Sequence, residues 1–321
     1  MSLPGRHTPK KTLLTKALLT LFMLLACSEI GIRVSGVTDF PTYQVADGIE
    51  YIPTPNQHGA FLHKNAWVFN DRSMGTEKPW NPAARPNILL IGNSIVMGGN
   101  PYDQKDKLGA LLQNAVGSSY AVWPIAAGGW TNVNETMYLH HNPDVARTAD
   151  YFLWEYMSGG LSGPTPWQGE YVFPKARPAW AGWYVLRRYV MPRVFGANIN
   201  ELPQTGPLSA AELGNFRAAV ATLERAKHHG LLFLYPKKAE YLLALQGKEW
   251  LPERPEIERI AREYDLRIID ISQAKEWNAA LYRDDGVHPL AQGNAVLAGI
   301  LGKALNEAIA EGIPPSTTAQ Q

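Results

Sequence analysis

The run Asn87-Ile88-Leu89-Leu90-Ile91 stops abruptly at Gly92-Asn93-Ser94. Unbroken aliphatic residues closed by glycine read as a strand buried on both faces, because a half-exposed strand would alternate apolar with polar side chains. Such strands belong to parallel sheets covered by helices on either side. Ser94 then stands at the carboxyl end of its strand, the edge where open α/β sheets take their ligands, and a tight turn there makes its hydroxyl a candidate nucleophile. The same position also suits a serine that only caps the following helix.

A second stretch, Tyr282-Arg283-Asp284-Asp285-Gly286-Val287-His288-Pro289, lies just before the last long helical pattern. A serine hydroxyl is a weak nucleophile at neutral pH; it needs an adjacent base, and the base needs a third group to set its tautomer. Asp285 and His288 supply both from one loop, three residues apart across a turn at Gly286. Either feature alone is ordinary loop punctuation. A serine after the first core strand together with Asp-x-x-His after the last is a much rarer conjunction.

These stretches resemble the SGNH (GDSL-type) hydrolase superfamily. Its first block is similar to Gly92-Asn93-Ser94-Ile95, its second to Ala126-Ala127-Gly128-Gly129-Trp130-Thr131-Asn132, and its last to Asp285-Gly286-Val287-His288-Pro289. The resemblance covers roughly residues 86 to 310 and implies a three-layer α/β/α fold with a five-stranded parallel sheet, flavodoxin-like in class. It also implies Ser94 as nucleophile, His288 as base, Asp285 as its orienter, and the backbone N–H groups of Ser94 and Gly129 as the oxyanion hole, with no cofactor. Two departures stand out. Asn93 replaces the usual aspartate, and the third block, Gly-x-Asn-Asp, is not recognisable in Trp154-Glu155-Tyr156-Met157-Ser158-Gly159-Gly160. The asparagine of that block donates to the oxyanion, and losing one such donor typically costs about 10² to 10³ in rate. Asn132 or Ser158 are the candidate replacements, Gly128 a further contact, and Lys237, after the fourth strand, a candidate partner for an anionic substrate group.

Residues 1 to 11 carry Arg6, Lys10 and Lys11, Lys16 follows, and Ala17 to Ala26 is almost wholly apolar. A basic head before such a run reads as an export signal or an uncleaved anchor, with the remainder of the chain facing the periplasm or exterior by the positive-inside rule. Two readings of its end compete. Leu24-Leu25-Ala26-Cys27 looks like a lipobox with the sole cysteine, Cys27, at the lipidation position, whereas Glu29-Ile30-Gly31-Ile32-Arg33-Val34 resembles the end of the anchor in membrane-tethered SGNH proteins. The anchor reading is preferred. One cysteine excludes an intrachain disulfide and a cysteine-built zinc site. The pairs His140-His141 and His228-His229 lack metal-ligand spacing and read as exposed helix ends. Net charge is +1 and charged residues make up 18%, against a usual share of about 25%, which speaks against nucleic acid as a partner.

The expected organisation is a basic tail and anchor over 1–34, a Pro/Gly-rich lead-in over 35–85 packing on the catalytic domain, that domain over 86–312, and a C-terminal tail over 313–321. Strands alternate with helical patterns from 86 onward, and Ser209-Ala210-Ala211-Glu212 opens a helix expected to end at Gly230. A Trp/Pro-rich insertion over 160–208 reads as a lid or binding wall. Its tryptophans suit sugar faces or a small local core equally. The function implied is an exported serine esterase acting on acyl, foremost acetyl, esters of cell-envelope or exopolysaccharide, or on a small ester. A polysaccharide O-acyltransferase on the same site, and a non-catalytic polysaccharide-binding protein on a degraded fold, are the alternatives.

Overall fold

The computed structural model describes residues 9–83, 86–195, 206–226 and 228–311. The expected tail over 313–321, residues 196–205 of the insertion and Arg6 of the basic head lie outside these.

Helix α1 (Pro9–Val34) comes first, and its segment Leu13–Val34 is long and apolar enough to cross a membrane by length and composition. Two antiparallel hairpins follow, β1 (Tyr43–Ala46) with β2 (Glu50–Pro53) and β3 (Gln57–Phe61) with β4 (Asn65–Phe69). The main body then alternates: β5 (Asn87–Gly92), α2 (Ser94–Met97), α3 (Leu108–Val116), β6 (Ala121–Ala126), α4 (Asn132–His141), α5 (Pro143–Thr148) and β7 (Tyr151–Tyr156). The insertion contributes α6 (Ala181–Val185), a π-helical turn (Leu186–Val190) and α7 (Met191–Phe195). After it come α8 (Ala210–Thr222), β8 (Gly230–Leu234), α9 (Lys238–Leu245), α10 (Arg254–Glu263), β9 (Arg267–Asp270) and α11 (Ala291–Glu311).

The five strands form one parallel sheet in the order β6-β5-β7-β8-β9. The chain leaves β5 first to one side and then returns to the other, so the topological switch point falls between β5 and β7, the usual position of a ligand crevice. Pleating splits the buried run. Leu89 and Ile91 face the core beneath α4, α8 and α10, whereas Ile88 and Leu90 face the core beneath α3 and α11. All four are fully buried, which is why the sequence shows no alternation there. Truncating any one to alanine should cost about 2–5 kcal/mol. The hairpin segment shares this first core: Tyr43, Ile49, Tyr51 and Met74 pack with Leu89 and Ile91.

The expected sheet, layers and strand order along the chain are present, with differences in between. Helix α8 ends at Thr222, not at Gly230. Gly230 is instead the first residue of β8, where a Cβ would lie 2.1 Å from the Phe152 ring; the glycine answers a close approach across the sheet, not a helix stop. Consequently His228 and His229 occupy the turn before β8, with His228 Nδ1 3.0 Å from the Tyr264 carbonyl, while His140 and His141 do close α4. Helices α5, α9 and α10 were not legible as separate elements, two of them because they are eight residues or shorter.

Candidate active site

Strand β5 ends at Gly92, packed so tightly on β7 that a Cβ would lie 2.3 Å from Glu155 Oε2 and 2.5 Å from Val96 Cγ2. Only glycine permits this approach. The next residue, Asn93, caps α2: its Oδ1 accepts the N–H of Ile95 at 3.0 Å. Ser94 is therefore the first helical residue, whose N–H has no intrahelical acceptor. Asn93 thus serves through its amide oxygen as a cap, and that part needs no charge.

The loop before α11 supplies the partner groups. Gly286 adopts φ +68° and lets the chain fold back, so that Asp285 Oδ1 accepts the N–H groups of Val287 and His288, each at 2.9 Å. Asp285 Oδ2 lies 3.1 Å from His288 Nδ1, and His288 Nε2 lies 2.9 Å from Ser94 Oγ. With Nδ1–H directed at the carboxylate, Nε2 is the atom left to accept the serine hydroxyl. Partial burial opposes ionisation of Asp285. The backbone N–H groups of His288 and Val287, followed by the imidazole, outweigh it and hold the carboxyl below its ordinary value. Neighbouring residues clamp this loop: Tyr235 donates its hydroxyl to the Val287 carbonyl at 2.9 Å, and the Lys238 N–H donates to the Gly286 carbonyl at 2.7 Å.

Ser94, Asp285 and His288 open onto a cleft of about 640 Å³. Gly128 and Gly129 form part of its wall. The hairpin segment braces that wall, since Tyr51 donates its hydroxyl to the Gly128 carbonyl at 2.8 Å and the Trp130 indole donates to the Tyr51 carbonyl at 2.9 Å. Aromatic rings from three parts of the chain, Phe40, Tyr43, Phe173 and Tyr184, line the cleft together with Arg188 and Arg283.

Three residues singled out from the sequence are placed elsewhere. Asn132 is buried and spends both amide hydrogens, one on Glu135 Oε2 at 2.8 Å and one on the Glu155 carbonyl at 2.7 Å, so it has none left for an oxyanion. Ser158 donates to Glu240 and accepts from Lys237 Nζ at 3.3 Å, and Lys237 also pairs with Glu240 at 3.6 Å. These residues form a local polar group at the start of α9, outside the cleft lining. The insertion's tryptophans do not line the cleft either. Trp167 is half-buried and bonds the Phe173 carbonyl at 2.9 Å, whereas Trp180 and Trp183 face outward. Tyr51, Tyr235 and Glu155 were missed, because a tyrosine or glutamate acting through a backbone group has no spacing signature.

Glu155 and Glu135 lie beneath the Ser94 turn, both buried. Glu135 accepts from the Trp154 indole at 2.6 Å as well as from Asn132. Burial pushes its carboxyl up to about 8 despite those bonds. Glu155 is raised well above the usual carboxylate range, by burial first and by the neighbouring Glu135 second. Among the described residues no group of three or more His, Cys, Asp or Glu is arranged to hold a metal ion.

No protein-family model matches the sequence, and no curated protein matches it. Solved structures with a similar chain trace include a psychrotrophic esterase from Pseudoalteromonas sp., 11% identical over 70% of this chain and 99% of that one, with a TM-score of 0.43. A lipase/acylhydrolase from Enterococcus faecalis is 12% identical over 69% of this chain and 95% of its own, with a TM-score of 0.42. A carbohydrate acetylesterase family member from Sinorhizobium meliloti is 14% identical over 70% and 99%, with a TM-score of 0.36.

Proposed function

We propose that this chain is a membrane-anchored serine esterase of the SGNH type, acting on acyl esters of carbohydrate. The observation that carries the proposal is the unbroken relay from Asp285 through His288 to Ser94, at 3.1 and 2.9 Å. Ser94 Oγ attacks the ester carbonyl as His288 Nε2 takes its proton, and the same nitrogen returns that proton to the departing alcohol. Water then attacks the acyl carbonyl as His288 Nε2 takes its proton, and collapse of the intermediate returns that proton to Ser94 Oγ, releasing the acid and restoring the serine hydroxyl. Asp285 stabilises the imidazolium formed in each half-reaction. The backbone N–H groups of Ser94 and Gly129 are the donors proposed for the tetrahedral oxyanion. With the Asn132 amide and the Ser158 hydroxyl both occupied, neither replaces the side-chain donor of the third block. The expected consequence is a modest rate, not an inactive site.

The aromatic cleft lining supports a carbohydrate ester as substrate, since ring faces suit the apolar C–H patches of sugars. Acetyl esters of envelope or exopolysaccharide fit an enzyme held at the outer face of a membrane. The apolar stretch Leu13–Val34 runs past Cys27 and is long enough to cross a membrane, a length that favours the uncleaved anchor over lipidation at Cys27. An intact relay also weighs against the non-catalytic alternative.

Fluorophosphonate labelling of the purified chain tests the proposal. Wild type is expected to be labelled at Ser94, and Ser94→Ala to lose both labelling and turnover of a short acyl ester, with stability shifted by less than about 1 kcal/mol. An unlabelled but folded wild type would overturn it. Supplying a sugar alcohol alongside the ester separates transfer from hydrolysis, because an acyltransferase forms acylated sugar where an esterase releases free acid.

A further inference from the structure

Residues 181–195 run as one helix through α6, the π-helical turn and α7. The wide turn has a local cause: Pro192 has no N–H to return to the carbonyl of Arg188. One side of this helix belongs to the cleft, where Tyr184, Arg188 and Pro192 follow at intervals of four residues. The other side is apolar and bare. Trp183, Leu186, Val190 and Val194 fall at i, i+3, i+7 and i+11, one stripe of a helix, and are 42, 41, 42 and 65% exposed. Trp180, 54% exposed, continues the stripe and stacks on Trp183 with ring centroids 6.3 Å apart. An outward stripe in water would carry charge, so this one is built to be covered.

The exit of α1 indicates what covers it. Glu29 on α1 accepts the N–H groups of Ala181 at 3.0 Å and Gly182 at 2.8 Å, capping the first turn of the insertion helix. Arg33, one turn later, donates to the carbonyls of Pro178 at 3.1 Å and Ala179 at 2.7 Å, and pairs with Glu29 at 2.7 Å. The bare stripe therefore begins where the membrane-crossing candidate ends, and the two apolar surfaces adjoin. Tryptophan concentrates at the headgroup level of bilayers. The exposed Arg187, flanking the stripe on the same helix, suits anionic headgroups.

We propose that Trp180, Trp183, Leu186, Val190 and Val194 seat the insertion helix in the headgroup layer of the bilayer that α1 spans, while its opposite side lines the Ser94 cleft. The proposal rests on the anchor reading above. It makes the insertion a second membrane contact, and the cleft is then held about one helix diameter, ~10 Å, from the membrane surface.

Site-directed spin labelling of the full chain, reconstituted in vesicles of phosphatidylcholine and phosphatidylglycerol, tests it. In a Cys27→Ala background, single cysteines replace Leu186, Val190 or Val194, with Leu19→Cys on α1 as the lipid reference and Lys303→Cys on α11 as the water reference. Power saturation then compares access of oxygen, which partitions into lipid, with access of a water-soluble nickel chelate. The three insertion labels are expected to show an oxygen-over-nickel ratio several-fold above Lys303→Cys, on the side of Leu19→Cys. Ratios equal to Lys303→Cys, with Leu19→Cys still lipid-like, overturn the proposal and leave the anchor standing. Labels shielded from both reagents mean that protein covers the stripe, which also overturns it. A water-like Leu19→Cys removes the anchor and the proposal with it.

Discussion

Glu155 Oε2 accepts the backbone N–H of Asn93 at 3.1 Å, so a buried carboxyl in the strand next to β5 holds the residue immediately before Ser94. Its other oxygen, Oε1, is buried without a hydrogen-bond partner among the described residues. Gly92 is shaped around this contact, and the position of the serine turn thus depends on a side chain that does not reach the cleft.

Because burial and the adjacent Glu135 raise the Glu155 carboxyl well above the usual range, the neutral acid is the form to imitate. Glu155→Gln keeps an acceptor for Asn93 and is expected to retain near wild-type kcat. Glu155→Leu leaves a buried N–H unpaired, at a cost of about 1–3 kcal/mol, and is expected to lower kcat more than it changes KM. Steady-state kinetics on both folded variants check this; equal activity in the two would show that the contact does not position Ser94.

Asp285 is held below its ordinary value, so it is ionised throughout the neutral range. A depressed carboxyl contributes stability that is present above its unfolded value and lost as pH falls through the lowered folded one. Asp285→Asn should therefore lessen the fall in stability toward acid, and should reduce kcat by up to about 10⁴-fold because the imidazole loses its orienting anion. Rate measurements at neutral pH and unfolding midpoints across the acid range test the two halves separately.

Glu135 titrates the other way. Its folded carboxyl stands at about 8 against an ordinary 4.5, so between those values the folded chain holds a proton that the unfolded chain has released. Stability from this group is full below the ordinary value and is lost as pH rises through the folded one, on the order of a few kcal/mol. Urea unfolding at about pH 5 and about pH 8 should show the decline, and Glu135→Gln should flatten it. An unchanged slope in the variant would exclude Glu135 as its source.

The tether makes a simple mass prediction. As an uncleaved anchor, α1 keeps its basic head, and Cys27→Ser leaves the protein in the membrane with only the mass of the substitution changed. Lipidation at Cys27 would instead give a mature chain beginning at that residue and heavier than its sequence by the attached acyl chains. Intact-mass spectrometry of the membrane fraction distinguishes them, and the full-length unlipidated mass is expected.

Much of the scaffold was legible because its cause is local. The run from Asn87 to Ile91 lacks alternation for the same reason that both its faces are covered, and the short-range geometry of Asp285, Gly286 and His288 follows from three neighbouring residues folding back on one turn. Period and turn chemistry act over a few residues, so they are written in order along the chain. What joins Ser94 to His288 across 194 positions is different. It required the order β6-β5-β7-β8-β9, which brings the ends of β5 and β9 to one sheet edge. The same long-range packing consumed the amide of Asn132, drew Lys237 and Ser158 into a group with Glu240, put Glu155 behind Asn93 and turned Trp180 and Trp183 away from the cleft. A side chain's partners are set by what the fold brings within about 3 Å of it, and residues far apart in sequence leave no periodic trace of that meeting.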